Sequence, residues 1–216
     1  MNDRKFSGEE AIRFGWEAMK KNFLFFAVFL VVITSIGFGL GIADAIMEEN
    51  TPASIAVGLL ASIFQLAIGI AMLTLTLGIC DRGNAEIEDI FSGWPRIGHY
   101  FLGSLLYGLI VFLGMLLLFV PGVIWAIKFQ FYSFYIIDKK AGPIAALKMS
   151  AKLTQGVKLS LFLFGIQLAV INMLGALCLF VGLFATIPTT SLAFAYIYRS
   201  LDKQLSNIPV GSSQTA

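Results

Sequence analysis

Apolar residues run uncharged through this chain over 23–43, 54–80, 100–127, 129–137 and 159–198, with polar stretches between them. A helix that crosses a bilayer needs about 20 apolar residues, so the last run holds two helices, with a turn expected within 175–182. The third and fourth runs divide at Pro121-Gly122, because proline is tolerated in the first turn of a helix and disfavoured inside one. The pattern predicts six spans, at 23–43, 54–80, 100–120, 122–137, 159–177 and 181–198. They form one integral membrane domain over 1–205, followed by a polar, disordered tail over 206–216.

The polar stretches have a pattern of their own. Ser7 and Glu10 have the spacing of a capping box. They open a helix with Ile12, Trp16, Met19 and Phe23 on one face and Glu10, Arg13, Glu17 and Lys21 on another. Such a helix is expected to lie in the membrane surface. Before the third span, Glu86, Glu88 and Asp89 suit the positive end of a helix dipole, Ile87, Ile90, Phe91 and Trp94 offer an apolar side, and Gly93 and Pro95 break the segment. Before the fifth, Pro143 opens a helix with Ile144, Leu147 and Ala151 on one face and Ala145, Lys148 and Lys152 on another. Ala11-Ile-Arg-Phe-Gly15 aligns with Ala146-Leu-Lys-Met-Ser150. The expected fold is an all-α polytopic membrane helical bundle. It has six transmembrane helices, short amphipathic cytoplasmic surface helices before spans 1, 3 and 5, and three repeated hairpin units. Gly37 and Gly41 give span one a small-residue face suited to a neighbouring helix or a second copy of the chain.

Composition excludes a soluble domain. Hydrophobic residues make up 58% and charged residues 13%, against about 25% charged in soluble domains. The net charge of +2 matters less than its placement. Lys and Arg gather before span one, between two and three, between four and five, and after six, while the alternate connections carry none. Because cytoplasmic loops are enriched in these residues, both termini are expected in the cytoplasm. The N-terminus lacks the short apolar core of a cleavable signal. Cys80 and Cys178 are expected at opposite membrane depths, too far apart for a disulfide. Metal-pair, nucleophile-turn and phosphate-loop motifs are absent, the lone His99 reads as interfacial, and no cofactor, metal or enzymatic activity is expected.

The candidate chemistry is the polar set inside the spans. Lys128 falls about 10 Å below one surface at about 1.5 Å per residue, Asn172 at a similar depth, and Gln65 and Gln167 near the midplane, with Gln130 beside them. A lysine at the centre of a span costs about 2.5–3.5 kcal/mol on insertion scales. Three roles are open to Lys128: it snorkels to the surface, it is braced by Asn172 and backbone carbonyls, or it faces a cavity that accepts a lipid phosphate or carboxylate. Trp125, Phe129 and Tyr132 recur beside it at helical spacing and read first as packing. Lys139, Lys140, Lys148 and Lys152 form a basic membrane surface. They either attract anionic lipid, at about 1 kcal/mol per charge, or enforce topology.

From Pro121 to Phe162 the chain reads Pro-Gly-Val-Ile-Trp-Ala-Ile-Lys-Phe, then Ile-Ile-Asp, then Gly-Pro-Ile-Ala-Ala-Leu-Lys-Met-Ser-Ala-Lys-Leu-Thr-Gln-Gly. This resembles a broad group of uncharacterised bacterial multi-pass membrane proteins that includes the membrane domain fused to some glycerophosphoryl diester phosphodiesterases. Phe91-Ser92-Gly93 with Arg96 is similar to the group's second loop. The resemblance implies a bacterial cytoplasmic membrane protein and a usual basic residue at the position of Lys128; phosphodiesterase activity, which belongs to a separate soluble domain, is not carried over. The expected function is a non-enzymatic membrane module that organises a partner protein or lipid. The alternative is a small transporter or lipid-handling protein with an intramembrane anion site near Lys128. Expected partners are the lipid bilayer, an anionic lipid, and a membrane protein or second copy, with no nucleic acid.

Overall fold

A computed structural model describes residues 5–48, 51–178 and 181–207; Arg4, Glu49 and most of the expected tail lie outside them. The chain folds into α1 (Gly8–Lys21), α2 (Phe23–Ala45), α3 (Pro52–Arg82), α4 (Ile87–Ser92), α5 (Ile97–Leu117), α6 (Phe119–Phe129), α7 (Tyr132–Asp138), α8 (Pro143–Leu153), α9 (Lys158–Leu177) and α10 (Leu183–Ser206). A 3-10 turn, Trp94–Arg96, joins α4 to α5.

Local chemistry sets several of these ends. Ser7 Oγ accepts from the Glu10 amide at 3.2 Å, capping α1. Thr51 caps α3 ahead of Pro52, and Gly83 closes it with a φ of 84°, a left-handed conformation that glycine adopts without steric cost. Glu86 and Asp89 form the reciprocal capping box of α4.

Among the described residues, five helical stretches are long and apolar enough to cross a membrane: Phe23–Ala45, Pro52–Arg82, Ile87–Leu117, Phe119–Asp138 and Lys158–Leu177. Their outer faces expose Leu24, Leu59, Phe112, Leu116 and Leu159, as bilayer-facing helices do. The expectation of six spans is corrected at α10. Its first half holds Thr186, Pro188, Thr189, Thr190 and Ser191, its second Arg199, Asp202 and Lys203, and it buries Thr189, Leu192, Ala193, Ala195, Ile197, Tyr198 and Leu201. This helix is the bundle's inner post, too polar to be a lipid-facing span. Phe131 stacks on Phe194 at 4.8 Å and Phe134 on Tyr198 at 4.9 Å, which packs α7 along it.

The repeated surface helices are also corrected, because each polar segment is used differently. α1 is amphipathic, but it packs lengthwise and antiparallel against α10. Lys5 meets Gln204, Tyr196 Oη donates to Glu10 at 2.9 Å, and Phe14 stacks on Tyr196 at 4.8 Å. Gly15 permits this approach, since a Cβ there would strike the Thr189 carbonyl and Ala193. α4 is a six-residue stub tied to α3 by Arg82, which donates to both Asp89 oxygens at 2.7 and 2.6 Å. α8 buries Ala146, Leu147, Ser150 and Leu153 and serves the site described next. Asn22, between α1 and α2, accepts from the Ala85 amide at 2.9 Å, pinning that junction to the loop after α3.

Candidate functional site

The fourth expected span is two helices in tandem: α6 stops at Phe129 and α7 starts at Tyr132. Backbone groups released at such a break need side-chain partners, because the bilayer interior supplies no water. Ser150 of α8 and Thr154, the residue that caps its C-terminal end, are fully buried and provide them. Ser150 Oγ accepts from the Phe131 amide at 3.1 Å and donates to the Lys128 carbonyl at 3.1 Å. Thr154 Oγ1 donates to the same carbonyl at 3.1 Å. The break is therefore built into the fold.

A cavity of about 370 Å³ lies beside it. Its polar lining comes from Thr76 of α3, Tyr100 of α5, Gln130 at the break, Ser133 of α7, Asn172 of α9, and Thr190 and Ser191 of α10; Gly69, Phe134, Leu168 and Phe194 supply apolar wall. Among the described residues all that line it are uncharged. Asn172 Nδ2 donates to Thr190 Oγ1 at 3.2 Å, bracing α9 against α10. Gln130 Nε2 is buried with no hydrogen-bond partner among the described residues. Leaving such a donor unmet costs about 1–3 kcal/mol.

The structure thus brings Gln130 and Asn172 to one cavity and places the other sequence candidates elsewhere. Lys128, at the end of α6, is half-buried, with its Nζ 5.0 Å over the Phe129 ring. Gln65 lines a separate groove between α2 and α3, with Thr34, Asp44 and Phe64. Gln167 is exposed on α9 beside Gly8. Tyr132 stacks on Tyr107 at 4.9 Å and pairs with Ser104 at 2.8 Å, and Trp125 sits over Gly114, so both are packing residues. Lys148 and Lys152 are exposed on α8, and Lys140 receives Arg96 Nη1 on its backbone carbonyl at 3.0 Å.

The fourth lysine of the expected basic surface, Lys139, belongs to an ionic cluster that the sequence reading did not single out. Arg199 reaches Asp81 at 2.6 Å and Asp138 at 2.8 Å, while Lys139 reaches Asp202 at 2.8 Å and Asp138 at 3.6 Å. Tyr198 Oη donates to Asp138 at 2.8 Å and Tyr135 Oη to Asp202 at 3.1 Å. The cluster ties α10 to the ends of α3 and α7. Burial, then the Asp138 carboxylate, pushes the Tyr198 hydroxyl well above its ordinary value. The hydrogen bond to Asp202 raises Lys139. Burial pulls Arg199 down, but Asp138 and Asp81 outweigh it and raise it. Among the described residues no group of three or more His, Cys, Asp or Glu is placed to hold a metal ion.

These features define a multi-pass α-helical membrane protein with a polar cavity at a helix break. The chain belongs to the family described as "Domain of unknown function (DUF7847)", whose model matches residues 97–208, from α5 through α10. It is similar to the "Uncharacterized protein Rv2560" of Mycobacterium tuberculosis strain H37Rv, at 29% identity over 91% of this chain and 69% of the relative. The "Uncharacterized protein Mb2590" of Mycobacterium bovis is similar to the same extent. No solved structure matches the chain. The resemblance to uncharacterised bacterial membrane proteins holds at that level, and neither relative is described as a phosphodiesterase.

Proposed function

We propose that this protein is a small lipid-handling or transport protein of the bacterial cytoplasmic membrane, and that it takes an acceptor-bearing polar group of its ligand into the cavity at the α6–α7 break. The unmet buried amide of Gln130 carries the reading: a polar group in the membrane interior is costly, and such groups mark ligand pathways. A carbonyl, ester or phosphoryl oxygen would complete its hydrogen bonding beside Asn172, Thr190 and Ser191. Lys128 lies outside the cavity wall, with its Nζ over the Phe129 ring, so the cavity reads the acceptor oxygen of the ligand and not its net charge. Because the cavity wall holds hydroxyls and amides and no acid–base pair, the site reads as one for binding, with no catalysis. The same cavity favours ligand handling over the organisation of a partner protein.

The described ends adjoin, with Gln204 Nε2 donating to the Lys5 carbonyl at 2.9 Å. By the positive-inside bias we place this basic end in the cytoplasm.

The test uses Gln130→Leu, which removes the buried amide at similar volume. Melting of the delipidated protein is expected to rise for the variant, and a returned membrane-lipid extract is expected to stabilise the natural chain alone. A variant that melts lower and responds to the extract as the natural chain does would refute the reading.

A further inference from the structure

A second feature, independent of the cavity, lies at the outer edge of the bundle. A groove of about 620 Å³ runs between α2 and α4, walled by Leu24, Val28 and Val32 on one side and Ile87 and Ile90 on the other. Among the described residues its one charged lining residue is Lys21. The walls face outward, with Leu24 76% and Ile87 68% exposed, so lipid is the medium that meets them.

We infer that this groove is a binding site for one anionic phospholipid, its phosphate on Lys21 and one acyl chain along α2. Lys21 is the last residue of α1 and stands at the start of the 23-residue apolar helix α2, which is headgroup depth. Its Nζ lies 3.5 Å from where a Cβ on Gly83 would stand, so the ammonium sits beside the α3 cap, at the groove's end. Two of the carboxylates at the neighbouring α4 start are already engaged: Arg82 holds Glu86 at 3.3 Å and Asp89 at 2.6 Å; the third, Glu88, is not part of the groove lining. No carboxylate among the described residues pairs with Lys21, and a phosphate is the complementary charge. From Leu24 to Val32 the helix rises about 12 Å at 1.5 Å per residue, close to the roughly 15 Å that one leaflet contributes to the hydrocarbon core. The groove therefore matches a phospholipid in charge placement, polarity and length. The site also departs from the lysines of α7 and α8, where Lys139 is bound to Asp202.

The experiment records intact-complex masses of the full chain in detergent, titrated separately with phosphatidylglycerol and phosphatidylcholine. The natural chain is expected to retain one phosphatidylglycerol in preference to phosphatidylcholine. Lys21→Gln is expected to lower that preference about fivefold, the equivalent of about 1 kcal/mol for one lysine near the headgroups. Val28→Trp, which fills the groove and leaves the charge, is expected to lose retention of both lipids. Lys148→Gln on α8 is expected to behave as the natural chain. The proposal is overturned if Lys21→Gln retains phosphatidylglycerol unchanged, if Lys148→Gln lowers retention as much, or if the groove variant keeps its lipid. A co-purified polypeptide lost on Val28→Trp would overturn it too, by giving the groove a protein occupant.

Discussion

Ser150 Oγ lies 3.1 Å from the carbonyl of Lys128, and through this hydroxyl, together with that of Thr154, a segment packed on the bundle holds open the break that positions Gln130. The same oxygen receives the Phe131 amide. Ser150→Ala leaves that amide unmet in the core, a loss of about 1–3 kcal/mol. Thr154→Ala is expected to cost less, because Ser150 still serves the Lys128 carbonyl. Thermal unfolding of the two variants and their double checks the order, and an equal cost for both singles would show that the break is held by other means.

Arg199 is the hinge pin of the ionic cluster. Its side chain is 19% exposed and that of Asp138 14%. Removing the cation leaves the Asp138 carboxylate against the core, while Asp81 is half-exposed, and breaking such a pair costs about 3–5 kcal/mol when it is fully buried. Arg199→Met is expected to approach the lower end of that range. Lys139, 43% exposed, is expected to matter by less than about 1 kcal/mol. Unfolding midpoints of Arg199→Met and Lys139→Met test the difference.

Alkaline pH is expected to weaken the fold. Tyr198 and Lys139 both have raised values in the folded protein, against ordinary values of 10.0 and 10.5. Above about pH 10 the unfolded chain releases these protons while the folded chain keeps them. The folded state then binds more protons, and stability falls as pH rises. Below that range both states are protonated and the contribution is complete. Tyr198→Phe removes one of the two groups and is expected to flatten the decline, measured as the melting temperature between pH 9 and pH 11. A decline as steep in the variant would place its origin elsewhere.

Gly15 lets α1 lie on α10. Gly15→Val is expected to lift α1, because a well-packed contact resists added volume at about 1–3 kcal/mol. Limited proteolysis is expected to cut within α1 in the variant at protease levels that spare the natural chain.

The sequence made the lipid-facing parts legible, since uncharged runs of sufficient length mark α2, α3, α5 and α9 directly. It misled at α10, where an uncharged run from Leu183 to Tyr198 hides threonines, a proline and small residues that suit a protein interior. The α6–α7 break gave no local sign: Gln130 and Phe131 are neither glycine nor proline, and what stabilises the break comes from Ser150 and Thr154 of another segment. Gln130 and Asn172 stood out as polar residues inside apolar runs, yet their meeting at one cavity depends on how α7, α9 and α10 pack. Asp138 and Arg199, 61 positions apart in the chain, each look like ordinary helix-end charges, and only the fold joins them.

Occupancy of the cavity beside Gln130 by a ligand is what the proposed function requires. It is tested most directly by the mass of the intact protein released from its own membrane with native lipid, compared between the natural chain and Gln130→Leu. A bound species on the natural chain that is absent from an equally folded Gln130→Leu protein is the expected result. The same bound species on both, or a bare subunit in both, would contradict the account and leave the cavity a feature of packing alone.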